Sequence, residues 1–140
     1  MSGGAKVLVI DNDPAVLELV SKVLVAEGHV VNAFGDCEEA LFMAASLGPH
    51  LIIFDVQMSE FEGLSLLRYL KANPRTGAVQ VMIVTGRKDP ESVQAVMKLG
   101  AADFLTKPLD PAKLVARVGK ILSGSAPANQ PQGPRAILWR

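Results

Sequence analysis

Five short apolar, β-branched runs alternate with helical patterns along the chain, at residues 7–10, 30–34, 51–54, 79–84 and 102–105. Steady alternation of this kind is the mark of βαβ units, in which each helix returns the chain to start a parallel neighbour. Such crossovers are right-handed, and the helices they carry cover both faces of the sheet. The pattern predicts an α/β chain with a five-stranded parallel sheet. With 140 residues, 49% of them hydrophobic, there is enough apolar material for one core.

The helix boundaries are written locally. Asp13-Pro14, Asp89-Pro90 and Asp110-Pro111 each offer a capping carboxylate followed by a proline suited to the first helical turn. Asp36 with Glu39 forms a capping-box pattern. Gly28 and Gly100 fall where a helix needs a left-handed terminating residue. Leu114, Val115, Val118, Ile121 and Leu122 draw one apolar stripe for the last helix. Cys37 sits in a first helical turn as a small apolar residue, and a single cysteine closes no internal disulfide.

In open α/β sheets, ligands bind beyond the carboxyl ends of the strands. Asp55 ends the run 51–54 there, Asp11-Asn12-Asp13 follows the first run, Thr85 follows the fourth, and Lys107-Pro108 follows the fifth. Thr85 lies 30 residues and Lys107 52 residues after Asp55. In this order and spacing the motifs resemble the receiver domain of bacterial two-component response regulators, over residues 5–122. The resemblance implies a doubly wound, flavodoxin-like (βα)5 fold with strand order 2-1-3-4-5. It also implies a phosphoprotein in a phosphorelay, with Asp55 as the phosphoacceptor.

A carboxylate attacking an anionic phosphoryl group meets a repulsion of about 4 kcal/mol at about 4 Å and an effective dielectric of about 20. Positive charge is needed, and a hard cation with oxygen ligands suits the task. By resemblance the cofactor is Mg²⁺, held by Asn12 and Asp55 through side chains, by the backbone carbonyl of Gln57, and by Asp11 through water. Lys107 would pair with the phosphoryl group, and the Thr85 hydroxyl would hydrogen-bond it. The Lys107-Pro108 bond is expected to be cis, an isomer that X-Pro bonds reach at low cost. Thr85 and the aromatic Phe104 match the family's switch positions, with Phe104 moving into the space that Thr85 vacates; burial as an ordinary strand residue is the alternative for Phe104. Gln57 and Arg87 flank the path of water to the acyl phosphate and would tune its lifetime.

Several positions depart from the family pattern. Asn12 stands where a second acid is usual, and Asp13 is read as the helix cap rather than a substitute. Ser59 replaces a proline, Glu62 an aspartate, and Gly86 a common alanine. Asn12 is expected to weaken resting Mg²⁺ binding, because an amide oxygen is a poorer ligand than a carboxylate. The phosphorylated site would stay balanced in charge.

The donor would be a histidine kinase or a histidine phosphotransfer protein. The change would be read by an output domain or partner at the face of the fourth helix, fifth strand and fifth helix. Fourteen basic and fourteen acidic residues balance, so no general attraction to nucleic acid or membrane is expected. The chain shows no signal peptide and no apolar run approaching about 20 residues, so a cytoplasmic location is expected.

Residues 1–4 read as a disordered start and 123–140 as a small, polar, proline-rich linker or tail. Its closing Arg135-Ala136-Ile137-Leu138-Trp139-Arg140 has three readings: the beginning of an output domain beyond this chain, a docking peptide, or an artificial remnant. His29 and His50 lack metal-ligand spacing and read as satisfied turn or edge residues. Two rival functions remain. A phosphatase with a nucleophilic aspartate would want a second acid where Gln57 stands. A phosphorylation-independent interaction module is suggested by Asn12 and Ser59. The domain itself is expected to be no enzyme beyond self-phosphorylation and autodephosphorylation.

Overall fold

Strands and helices alternate without interruption: β1 (Lys6–Ile10), α1 (Pro14–Ala26), β2 (Val30–Phe34), α2 (Cys37–Leu47), β3 (Leu51–Asp55), α3 (Gly63–Ala72), β4 (Gln80–Thr85), α4 (Pro90–Lys98), β5 (Asp103–Thr106) and α5 (Pro111–Leu122). This computed structural model describes residues 4–55, 63–86 and 89–124. All ladders are parallel and the sheet order is β2-β1-β3-β4-β5, as expected. Strands β3, β4 and β5 each run one residue beyond the apolar run that marks them. The reason is pairing: Asp55 continues the ladder opposite Val84, and Thr85 opposite Thr106.

Successive strand residues face opposite ways, so each strand feeds two cores. Val7, Val9, Ile53, Met82 and Val84 pack with Val20 and Leu24 of α1 and with Leu114, Val118 and Ile121 of α5. Leu8, Ile10, Phe54, Val81 and Ile83 pack with Ala40 and Ala44 of α2, Leu66 and Leu70 of α3, and Val96 of α4. Strands buried on both faces explain why the runs read as continuously apolar rather than alternating. Of the stripe in α5, Leu114, Val118 and Ile121 are fully buried, and Val115 and Leu122 lie half-buried at its margins.

The capping aspartates do what their positions suggest. Asp13 and Asp110 accept from the N–H groups of Ala15 and Ala112, both at 3.0 Å, and Asp89 accepts from Ser92 at 3.1 Å. Asp36 caps α2 through Glu38 N–H at 3.1 Å, one residue short of Glu39. Asp110→Ala should lower the unfolding free energy by about 1 kcal/mol, measured by urea denaturation, because it leaves an N-terminal amide of α5 without its acceptor. Gly28 and Gly100 have φ of 95° and 106°, the left-handed region predicted for them. At Gly100 a Cβ would also come within 3.1 Å of Lys71 Cε. Cys37 is buried at the start of α2. Among the described residues, no helix is long and apolar enough to cross a membrane.

Candidate functional site

The fold brings four predicted residues to the carboxyl edge of the sheet. Asp11 follows β1, Asp55 closes β3, Thr85 closes β4 and Lys107 follows β5. Because β1 and β3 are neighbours, Asp11 and Asp55 share one stretch of that rim. Their exposures are 1% and 5%, and that of Thr85 is 4%, so charge here is poorly screened and needs a partner.

Lys107 supplies it. Its backbone N–H donates to the Thr85 carbonyl at 2.8 Å, which ties the segment after β5 to the end of β4. The Lys107-Pro108 bond is cis. From there the ammonium donates to Asp55 Oδ2 at 2.7 Å and lies 3.0 Å from Asp11 Oδ2. Two carboxylate oxygens sharing one ammonium lie less than about 6 Å apart and would repel strongly without it. Burial alone would push the Lys107 ammonium down. Its hydrogen bonds to Asp55 and Asp11, together with their charges, outweigh that cost and hold it above its ordinary value. Lys107 is therefore a cation throughout the neutral range.

Asp11 is fixed from two further sides. Its backbone N–H donates to the Phe34 carbonyl at 3.1 Å, and its Oδ1 accepts from Asp13 N–H at 2.9 Å. Asp13 thus steadies Asp11 through its backbone while its own carboxylate caps α1. Asn12 is exposed in the same turn. Phe104 is half-buried and packs against the core layer under α2, α3 and α4. It lies opposite Ile83, so strand alternation puts it on the same sheet face as Thr85, one diagonal away. Gln57, Ser59, Glu62 and Arg87 lie outside the described residues.

One contact at the amino end of β5, away from the rim, has no signal in the sequence. Arg117 Nη1 donates to both oxygens of Asp103, at 2.8 and 2.9 Å, while Asp103 Oδ1 accepts from Phe104 N–H at 2.8 Å. It joins α5 to the open edge strand across 14 positions, beyond the reach of any helical spacing rule.

The donor set suits a hard divalent cation. Among the described residues, no three His, Cys, Asp or Glu side chains gather as a metal site. What the rim offers instead is two buried carboxylates and the neighbouring Asn12 amide, all oxygen donors of the kind Mg²⁺ accepts while keeping several waters.

The family described as response regulator receiver domain matches residues 7–119, most of the chain. The chain belongs to that family. The receiver is 33% identical over 113 residues to the DNA-binding response regulator MtrA of Mycolicibacterium smegmatis, covering 81% of this chain and 48% of that protein. It is 39% identical over 117 residues to the response regulator PleD of Caulobacter vibrioides, covering 81% of this chain and 25% of that protein. Among solved structures, the chemotaxis response regulator CheY4 of Vibrio cholerae superposes with a TM-score of 0.79 at 27% identity, covering 84% of this chain and 98% of CheY4. The receiver thus spans half or less of these two curated relatives. It is a signalling domain of two-component systems, a family whose members work with histidine kinases and output domains.

Proposed function

We propose that this receiver takes a phosphoryl group onto Asp55 from the phosphohistidine of a histidine kinase or histidine phosphotransfer protein. The observation that carries this reading is the Lys107 ammonium held 2.7 Å from Asp55 and 3.0 Å from Asp11 in a buried rim. In the transfer a carboxylate oxygen of Asp55 forms the new O–P bond as the N–P bond to the donor breaks, and the electron pair leaves with the imidazole. Lys107 compensates the charge gathering on the phosphoryl oxygens, and Thr85 has a hydroxyl at the adjacent strand end to donate to one of them. Mg²⁺, when bound, would supply the further positive charge that lets one anion approach another. Asp11, Asn12, Asp55 and the Gln57 carbonyl would hold it.

Output follows from a shift between two arrangements that the acyl phosphate stabilises unequally. Thr85 and Phe104 share a sheet face, which makes them the pair through which the rim would reach α4, β5 and α5. An output domain or separate partner would read that surface. Nucleic-acid binding by the receiver itself is not supported by its balanced charge; MtrA is a DNA-binding response regulator, and the match covers only 48% of its length.

The test is intact mass after incubation with acetyl phosphate, with and without Mg²⁺, on the parent and on Asp55→Ala. A Mg²⁺-dependent gain of one phosphoryl group is expected in the parent alone. No gain, while a known receiver reacts alongside, would assign the chain to phosphorylation-independent interaction. Asn12→Asp should bind Mg²⁺ about tenfold more tightly in a fluorescence or calorimetric titration, because a carboxylate replaces a neutral amide. Equal affinities would show that Asn12 is no ligand.

A further inference from the structure

The opposite end of the sheet carries a second polar arrangement, built on β1. The Ala5 N–H donates to Nδ1 of His29 at 3.1 Å, and the next amide, Lys6 N–H, donates to Nδ1 of His50 at 3.0 Å. The two imidazoles arrive from either side, since His29 precedes β2, His50 precedes β3, and β1 runs between those strands. Backbone bonds close each contact into a ring: Val30 N–H donates to the Ala5 carbonyl at 2.9 Å and His50 N–H to the Lys6 carbonyl at 2.8 Å. Gly4 lies so tightly against this turn that a Cβ on it would overlap the Gly28 carbonyl.

An imidazole Nδ1 accepts a hydrogen bond only while the ring is neutral with its proton on Nε2; the imidazolium donates from both nitrogens. One proton therefore turns each acceptor into a donor facing an amide donor. We propose that His29 and His50 form a proton-sensitive clasp on the entry of β1, closed when both rings are neutral and opened by acid.

Among the described residues, the charged groups on the elements meeting here are Lys6 on β1, Glu27 at the end of α1, and Lys71 of α3, whose ammonium donates to the Gly77 and Val79 carbonyls just before the strand that pairs with β3; the last turn of α2 brings none. Burial first, and the Lys6 ammonium second, hold the His50 imidazole below its ordinary value. The sign follows. At His50 the unfolded chain binds the proton more readily than the folded one, so the His50 half of the clasp contributes fully above about pH 6.5 and is lost as pH falls through the lower folded value.

Nitrogen NMR on the full chain tests this directly. At pH 7.5 both rings should be the Nε2–H tautomer. Between pH 7.5 and 5.5 the exchange protection of the Ala5 and Lys6 amides, corrected for intrinsic rates and referred to amides in β3, should fall about fivefold, as losing one hydrogen bond implies. In a His29→Gln/His50→Gln double variant that differential fall should vanish. Nδ1–H tautomers in the parent, unchanged protection across this range, or the same fall in the double variant would each overturn the proposal. The tautomer reading stands on the parent alone, so it decides the matter even where the double variant fails to fold.

Discussion

Lys107→Met should slow phosphoryl uptake from acetyl phosphate by about 100-fold to 1000-fold, the usual consequence of removing one preorganised donor from a charge-developing site. Methionine keeps much of the lysine stem's bulk while deleting the ammonium, so the loss would report charge rather than shape. The same change should lower stability by about 3–5 kcal/mol, because Asp11 and Asp55 are left buried without their shared partner. A mass time course and a urea titration would measure the two effects separately. Uptake at the parent rate would show that Lys107 serves the fold and not the transfer. The raised position of the Lys107 ammonium also has a pH consequence. Its contribution to stability is complete below the ordinary lysine value and is lost only as pH rises through the higher folded value. The parent should therefore show no Lys107-linked loss near neutrality, with a decline confined to strongly alkaline conditions.

Phe54→Ala should cost about 3–5 kcal/mol of unfolding free energy. Phe54 is 1% exposed, stands on the middle strand, and lies opposite Ile10 on one side and Ile83 on the other. Its removal opens a cavity in the layer under α2, α3 and α4, where neighbours on two strands cannot both collapse inward. The residue also precedes Asp55, so a slackened strand end should loosen the carboxylate from Lys107. Chemical denaturation with an unchanged slope gives the stability term. A loss below about 1 kcal/mol would mean that the layer repacks around the gap.

The strands that carry the site were legible because they are buried on both faces, which makes each run continuously apolar and easy to find. Their ends were less so. Asp55 and Thr85 are polar residues that still belong to the ladder, and only the pairing with Val84 and Thr106 reveals this. The caps were legible for a simpler reason: Asp13, Asp89 and Asp110 each bond within three residues of themselves. Gly48 ends α2 in the left-handed region at φ 60°, and Pro49 directly after it is a further local stop signal. For the rim, motif order and resemblance brought Asp11, Asp55, Thr85 and Lys107 into view together. That Lys107 spans both acids in the resting chain was not visible in that order, and neither was the backbone bond from Asp13 to Asp11.

By itself the sequence determined what is local or periodic: the alternation of strands and helices, the helix starts at Asp-Pro, the left-handed glycines and the polar side chains that stand at the strand ends. These depend on interactions within a few residues, and such interactions leave a mark in residue order. Only the tertiary structure decided which distant groups meet: Lys107 between Asp11 and Asp55, Arg117 on Asp103, and the imidazoles of His29 and His50 on adjacent amides of β1. Such contacts join residues 14 to 96 positions apart, and their partners are chosen by the order and register of the sheet, which no single segment encodes.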